Sequence, residues 1–481
     1  MSSQSLLEEE RTRIDALLAR KSRLLQEVNE IEQELRVAET RHGRLQNSRA
    51  PVSTLPDELL ADIFQLCQED WLYNMRPSFE LVASHVSSHW REIALATPLL
   101  WNNIYMVVRH IPSSPRFTSQ VERFSAHLAR SASCLLKIYL VLDTSDMVPH
   151  FLDPLTRHAK QWQQISISVP TGVEADLYSS LHKISAPALV HLSLRVGTIQ
   201  NPDAPRTEYP AECPEILMGG GSPALSFVRV AGMIVGRMAP PYSSVTTLHI
   251  DAWPKNIMQH GHFQRMLGML PRLVNLSLTG LSIQLPRDPL DVSSPTPMPS
   301  LRSLRIRCNA TPCHRLFTLM VLPHLESLSL HNVDTFDSPP MPTLRSLTIE
   351  ACALSETEVG HMVHAFPAIT TLSIDHSVPS IYTMLESDGG KLWPALEEVF
   401  QRDLRASDVA PFCLMLLTRV RAEMPLRRLL LNRGSRRVLR AKDRVLDMLT
   451  QLLEVDRCDH WDVWPTDLGY EDPDDMAIEL R

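Results

Sequence analysis

One eight-residue pattern, Pro-x-Leu-x-x-Leu-x-Leu/Ile, recurs along most of this chain and constrains its fold more than any other feature. PALVHLSL begins at Pro187, PRLVNLSL at Pro271, PSLRSLRI at Pro299, PHLESLSL at Pro323, PTLRSLTI at Pro342 and PAITTLSI at Pro367. PALSFVRV at Pro223 fits with Val in the last two apolar places, and SSVTTLHI at Ser243 fits without the proline. Weaker copies start at Trp101, Leu135, Trp162 and Leu426, with a partial one at Pro394 (Leu396, Val399). Starts are separated by roughly 19 to 36 residues, mostly in the middle twenties, a period that signals a stacked array.

The last two apolar places of each unit alternate with a polar residue, which predicts a short strand with one buried face. No unit buries that face alone; stacked neighbours make a continuous core. The leading proline ends the preceding segment and restricts the residue before it. A chain of 481 residues has ample length for such a core. On these copies, residues 101–455 resemble the irregular leucine-rich repeats of intracellular receptors. The resemblance implies an α/β solenoid, a horseshoe whose concave face is built from the strand residues between the leucines. Asn309 and Cys352 fall where such repeats often carry a residue that bonds neighbouring backbone. The concave positions supply a candidate substrate face: Arg229, His249, Asp251, Arg305, Arg307, His331, Glu350 and Asp375. Mixed signs and few aromatics favour a protein partner over a nucleic-acid strand, which needs a basic track with stacking platforms. The plainer reading is a set of solvated strand residues, of which only a handful would touch a partner.

Residues 6–45 hold no proline and, before Gly43, no glycine. Leu7, Ile14, Val28 and Leu35 share one heptad position; Leu17, Leu24, Ile31, Ala38 and Leu45 fill the position three residues on. This 3.5-residue period predicts a coiled-coil helix over 1–47, interrupted in its seam by Glu10 and Lys21. Self-association as a homodimer, most simply parallel, is one expectation; a lone helix folded back on the body is the other.

Between the coil and the repeats lies TLPDELLADIFQLC (Thr54 to Cys67), whose apolar residues at Leu59, Leu60, Ile63, Phe64 and Cys67 stripe a short helix. FELVASHVSSHWREIALATPLLW follows. With Leu55, Pro56, Glu58, Leu60, Ile63 and Phe64, then Val86, Trp90 and Arg91, then Pro98, Leu100 and Trp101, residues 48–100 resemble an F-box. Cys67 stands where that family has a leucine, Ser87 replaces its usual cysteine, and the linker QEDWLYNMRPS is longer than its norm. Coiled coil, F-box and leucine-rich repeats in that order also resemble a large group of fungal F-box-like proteins. The resemblance implies an all-α box that docks on the Skp adaptor of an SCF-type cullin ubiquitin ligase while the repeats hold a protein substrate. Leu55, Pro56, Leu59, Leu60, Ile63, Phe64, Val86 and Trp90 are its candidate adaptor-binding residues. If seven of these apolar side chains were buried on docking, the gross gain would be on the order of 10–20 kcal/mol. A coiled-coil scaffold without any link to ubiquitin is the competing expectation.

Other function classes find little support. A net charge of −8 argues against a dedicated nucleic-acid binder. MSSQSLLEEERTR lacks the basic and apolar regions of a signal peptide, and apolar runs such as LLKIYLVL are too short to span a bilayer. Eight scattered cysteines read as reduced thiols, so a cytoplasmic or nuclear location is expected. No catalytic motif, cofactor loop or zinc spacing is present; Cys308, Cys313 and His314 lack a second ligand pair. Neither an enzyme nor a metal or cofactor is expected. Finally, residues 419–444 carry ten basic residues against two acidic, and the 456–481 tail nine acidic against two basic. The basic stretch would recognise an acidic partner with the tail as competitor or, more plainly, form a solvated helical face.

Overall fold

The computed structural model describes residues 3–47, 49–71, 79–109, 114–197, 214–232, 235, 237–252, 257–280, 282–284, 294–307, 316–333, 335–387, 389, 391–424, 426–442 and 445–458. The protein is a mixed α/β chain of two units. One comprises the chain to Asn103 together with His127–Cys134; the other comprises Ile104–Ala126 and the chain from Leu135 onward.

The first unit is helical. Helix α1 (Ser3–Asn47) is a single uninterrupted rod, as expected from its long-chain residues and lack of proline. No face of it is covered: from Leu7 to Asn47 every side chain is exposed except the half-buried Gly43 position. A 3₁₀ turn at Pro51–Thr54 then leads to α2 (Asp57–Trp71), whose Asp57 and Glu58 suit the positive end of the helix dipole. Helices α3 (Phe79–Val86) and α4 (Ser88–Ala96) follow. Ser87 caps α4 by accepting a hydrogen bond from the Trp90 amide at 3.1 Å. Leu60, Phe64, Ala83, Ile93, Ala94, Leu100 and Trp101 form the core, with Leu55, Phe79 and Trp90 packed against it.

Two features of this unit are settled only by the packing. Trp101, which also reads as the start of a repeat, is fully buried in the helical core and donates from Nε1 to the Ala94 carbonyl at 2.7 Å. The unit is also closed by a segment from beyond the expected boundary at residue 100. His127 Nε2 lies 2.9 Å from the buried Glu80 carboxylate, and the Arg130 guanidinium sits 4.4 Å over the Trp101 ring.

The second unit is built on a large parallel sheet. Its strands in chain order are β1 (Asn103–Val108), β2 (Leu136–Leu142), β3 (Trp162–Val169), β4 (His191–Val196), β5 (Phe227–Gly232) and β6 (Thr247–Asp251). Then come β7 (Ile257–Gln259), β8 (Asn275–Thr279), β9 (Ser282–Gln284), β10 (Thr296–Pro297), β11 (Ser303–Arg307) and β12 (Met320–Val321). The series ends with β13 (Ser327–His331), β14 (Ser346–Glu350), β15 (Thr371–Ile374), β16 (Glu398–Gln401), β17 (Arg428–Leu431) and β18 (Glu454–Arg457). Fourteen of them form one sheet in which spatial order equals chain order; β7 pairs with β9 and β10 with β12 outside it. Every repeat copy seen in the sequence maps to one of the fourteen, and β18 is the strand the template misses.

The registers explain the pattern. Leu192, Val228, Leu248, Leu276, Leu304 and Leu328 lie side by side in one row, and Leu194, Val230, Ile250, Leu278, Ile306 and Leu330 in a second. All twelve are buried. The proline has a sharper role than ending a segment. The residue before it accepts a hydrogen bond from the amide of the first template leucine, as in Leu189 to Ala186 (3.1 Å), Leu225 to Ser222 (3.0 Å) and Leu344 to Met341 (3.2 Å). Proline thus occupies the second position of a β-turn, where its fixed φ is preorganised.

Candidate functional site

The candidate adaptor residues divide into two sets. Leu60 and Phe64 are each 1% exposed, and the Phe64 ring packs against Phe79 at 5.7 Å and Trp90 at 4.8 Å. Both side chains sit in the core of the helical unit with almost no surface left open. Leu55 and Trp90 are half-buried against the same core. Leu59 and Ile63 remain 49% and 42% exposed, with Leu66 more open still. Positions 59, 63 and 66 share a face of α2 at spacings of four and three, about one residue's rotation from the inward stripe. Pro56 and Val86 are also exposed. Leu66 was absent from the sequence candidates because Cys67, at the better-matching period, drew the stripe one position on.

On the sheet, the polar residues between the leucines also fall into rows. Ser193, Arg229, His249, Ser277, Arg305 and Ser329 form one; Ala231, Asp251, Thr279, Arg307, His331 and Glu350 form the next. Seven of the eight candidate face residues are therefore brought together, while Asp375 follows the end of β15. Their burial departs from the expectation of solvated strand residues: Arg229, His249, Arg305 and Asp375 are all buried. Strands about 4.8 Å apart force long side chains of adjacent strands against one another. Arg229 donates from Nε to the Asp251 carboxylate at 2.6 Å, and Arg305 from Nε to the Ser277 hydroxyl at 2.9 Å. The Phe227 ring, which sequence reasoning passed over, stacks on His191 with centroids 4.1 Å apart and tilts against His249 at 4.9 Å.

Electrostatics follow from that packing. Burial works against the Asp251 carboxylate, but the Arg229 charge and hydrogen bond prevail and hold its pKa at about 2. Burial, reinforced by the charges of Arg305 and Arg229, pushes His249 well below its ordinary value, so it is neutral at pH 7. Burial, with Arg307, lowers His331 as well, and burial raises Glu350 above the usual carboxylate range. Glu350 accepts from Arg402 Nη1 at 3.1 Å. Arg402 was not a sequence candidate because the partial copy at Pro394 gives its strand a weak frame. Asp375 is a loop organiser: its carboxylate accepts from the amides of Ala351 (2.9 Å) and Ser377 (2.8 Å). Ala351 has φ +48, a left-handed conformation that this bond helps to hold. Arg307, His331 and Glu350 are half-buried.

The basic stretch 419–444 also divides. Arg419 is fully buried and donates to the carbonyls of Leu392 (2.7 Å), Trp393 (3.1 Å) and Leu396 (3.4 Å), a structural role. Arg428 bonds Asp456 at 2.9 Å, while Arg433, Arg437 and Arg440 are exposed. Cys352 is buried, its thiol donates to the Glu350 carbonyl at 3.1 Å and to Leu330 on the neighbouring strand at 3.6 Å, and burial raises its pKa to about 12. Asn309, Cys308, Cys313, His314 and the tail from 459 lie outside the described residues. Among the described residues no cluster of His, Cys, Asp and Glu is able to hold a metal ion, and no helix is long and apolar enough to cross a membrane. No protein-family model and no curated protein matches the chain.

Proposed function

We propose that this protein is the substrate-recognition subunit of an SCF-type cullin ubiquitin ligase. In this reading the helical unit is an F-box that docks on the Skp adaptor, and the sheet unit is an irregular leucine-rich-repeat solenoid that holds a protein substrate. The carrying observation is the second apolar stripe on α2. One stripe, Leu60 and Phe64, suffices to close the core, yet Leu59, Ile63 and Leu66 keep a parallel one in solvent. An amphipathic helix with an outward apolar face fits a hydrophobic groove in another protein. The solenoid reading draws on the agreement of spatial and chain order along the fourteen strands and on the aligned leucine rows.

The energetics are more modest than the sequence suggests. Leu60 and Phe64 are already buried, so docking gains nothing from them. Leu55, Leu59, Ile63, Leu66 and Val86, each with part of its surface open, would contribute roughly 4–8 kcal/mol together. Association costs about 4–15 kcal/mol, so a tight complex also needs contacts at the exposed Val82, Leu95 or Leu99. Gel filtration of the full chain with purified Skp–cullin assembly tests the reading. The wild type is expected to co-elute and the Leu59→Ala/Ile63→Ala variant to elute alone with unchanged circular dichroism. Failure of the wild type to co-elute favours the scaffold without a ubiquitin link.

A further inference from the structure

Helix α1 leaves its apolar seam in solvent along its whole length: Leu7, Ile14, Leu17, Leu24, Val28 and Leu35 are each at least half exposed. Leu18 and Leu25, one place beyond the seam, are as open, so the apolar band is wider than two positions. A long exposed apolar band marks an association surface. A 3.5-residue period is matched by a second helix of the same period, and the flanking charges, complementary to themselves, favour another copy of this chain as that helix.

The charges decide the direction. The charged positions flanking the seam are basic in the first half (Arg11, Arg13, Arg20) and, apart from Arg41, acidic in the second (Glu27, Glu32, Glu34, Glu39). Such a helix is complementary to itself only when one copy is reversed. In a parallel pair every seam residue faces its own copy, so Lys21 meets Lys21, Glu10 meets Glu10 and His42 meets His42. The flanks then set Glu27 against Glu32 and Glu34 against Glu39.

We propose that two copies of this protein pair through α1 in antiparallel orientation, with Leu7 of one against Leu45 of the other. This register places Glu10 against His42, Lys21 against the apolar Ile31, and Leu17 against Leu35. Arg20 flanks Glu34, Arg11 flanks Glu39, and Leu25 meets Leu25 across the pair. Two unfavourable pairings remain, Arg13 beside Arg41 and Glu27 beside its own copy. Within one chain Glu10 holds an exposed ion pair to Arg13 at 3.7 Å, too weak to compete with a facing partner. The proposal stands apart from the adaptor reading, since it concerns only α1, and it reverses the parallel orientation that is simplest from the heptads alone.

Charge exchange at one flanking pair separates the orientations. The dimer dissociation constant of the full chain is measured by sedimentation equilibrium for the wild type, Arg20→Glu, Glu34→Arg and the double variant, with circular dichroism as a check on helicity. In the antiparallel pair each single variant weakens the dimer by about tenfold, because two attractive pairs become repulsive, and the double variant recovers wild-type affinity. In a parallel pair Glu34→Arg instead tightens the dimer by relieving its repulsion from Glu39, and Arg20→Glu, facing Leu25, changes little. That result overturns the orientation. A wild type that stays monomeric at tens of micromolar overturns the pairing itself.

Discussion

Replacing Asp251 with Asn tests whether the polar face of the sheet is a packed electrostatic layer or a solvated surface. The carboxylate accepts the Arg229 Nε bond at 2.6 Å with only 20% of its side chain exposed, and Arg229 itself is 3% exposed. Asn keeps the shape and an acceptor but removes the charge that balances a buried guanidinium. A carboxyl lowered from 3.8 to about 2 in the folded state contributes about 2 kcal/mol at neutral pH. Because the folded value is the lower one, this stability is complete above the unfolded pKa near 3.8 and is lost as pH falls toward 2. Urea unfolding followed by circular dichroism should therefore show Asp251→Asn about 2 kcal/mol less stable at pH 7, with the same gap at pH 5 and about half of it at pH 3. A gap of a few tenths at pH 7, or one that does not narrow at low pH, would refute the packed layer.

Two further substitutions test parts of the frame. Arg419→Met keeps length and apolar bulk but strips donors from the carbonyls of Leu392, Trp393 and Leu396; a loss of about 3 kcal/mol is expected by chemical denaturation, and a neutral effect would show that these carbonyls find other donors. Gly219→Ala places a methyl 1.9 Å from the Lys183 carbonyl oxygen, a clash that requires backbone movement. A loss of about 1–3 kcal/mol in thermal unfolding is expected, and an unchanged melting temperature would contradict the close approach.

Most of the sheet is legible in the sequence because a strand with one buried face, repeated beside itself, must repeat its apolar spacing. The pattern fades where that requirement lapses. In β18 (EVDR) Val455 alone keeps the template, and Arg457 stands beside Leu431 where the second apolar place would fall. Burial of Arg229, His249 and Arg305 is invisible for another reason: a polar residue between leucines is written the same way whether its neighbours in the row are serines or rings. Phe227 becomes a neighbour of His249, and Asp251 a partner of Arg229, only once the register sets them there. On α2 the periodicity finds a broad apolar arc from Leu59 to Cys67, but spacing does not say which edge faces inward. The packing of Phe79 and Trp90 around Phe64 decides it. Trp101 serves two patterns at once in the sequence, and the hydrogen bond to Ala94 assigns it to the helices.

In the proposed function the outward stripe of α2, and not its inward one, meets the Skp adaptor. A calorimetric titration of the full chain with purified adaptor tests it directly, comparing wild type, Leu59→Ala/Ile63→Ala and Leu60→Ala. Micromolar or tighter binding is expected for the wild type, and loss of binding without loss of fold for the double variant. Leu60→Ala should destabilise the helical unit by about 2–5 kcal/mol, while molecules that remain folded keep their affinity. Equal binding by the wild type and the double variant would contradict the claim.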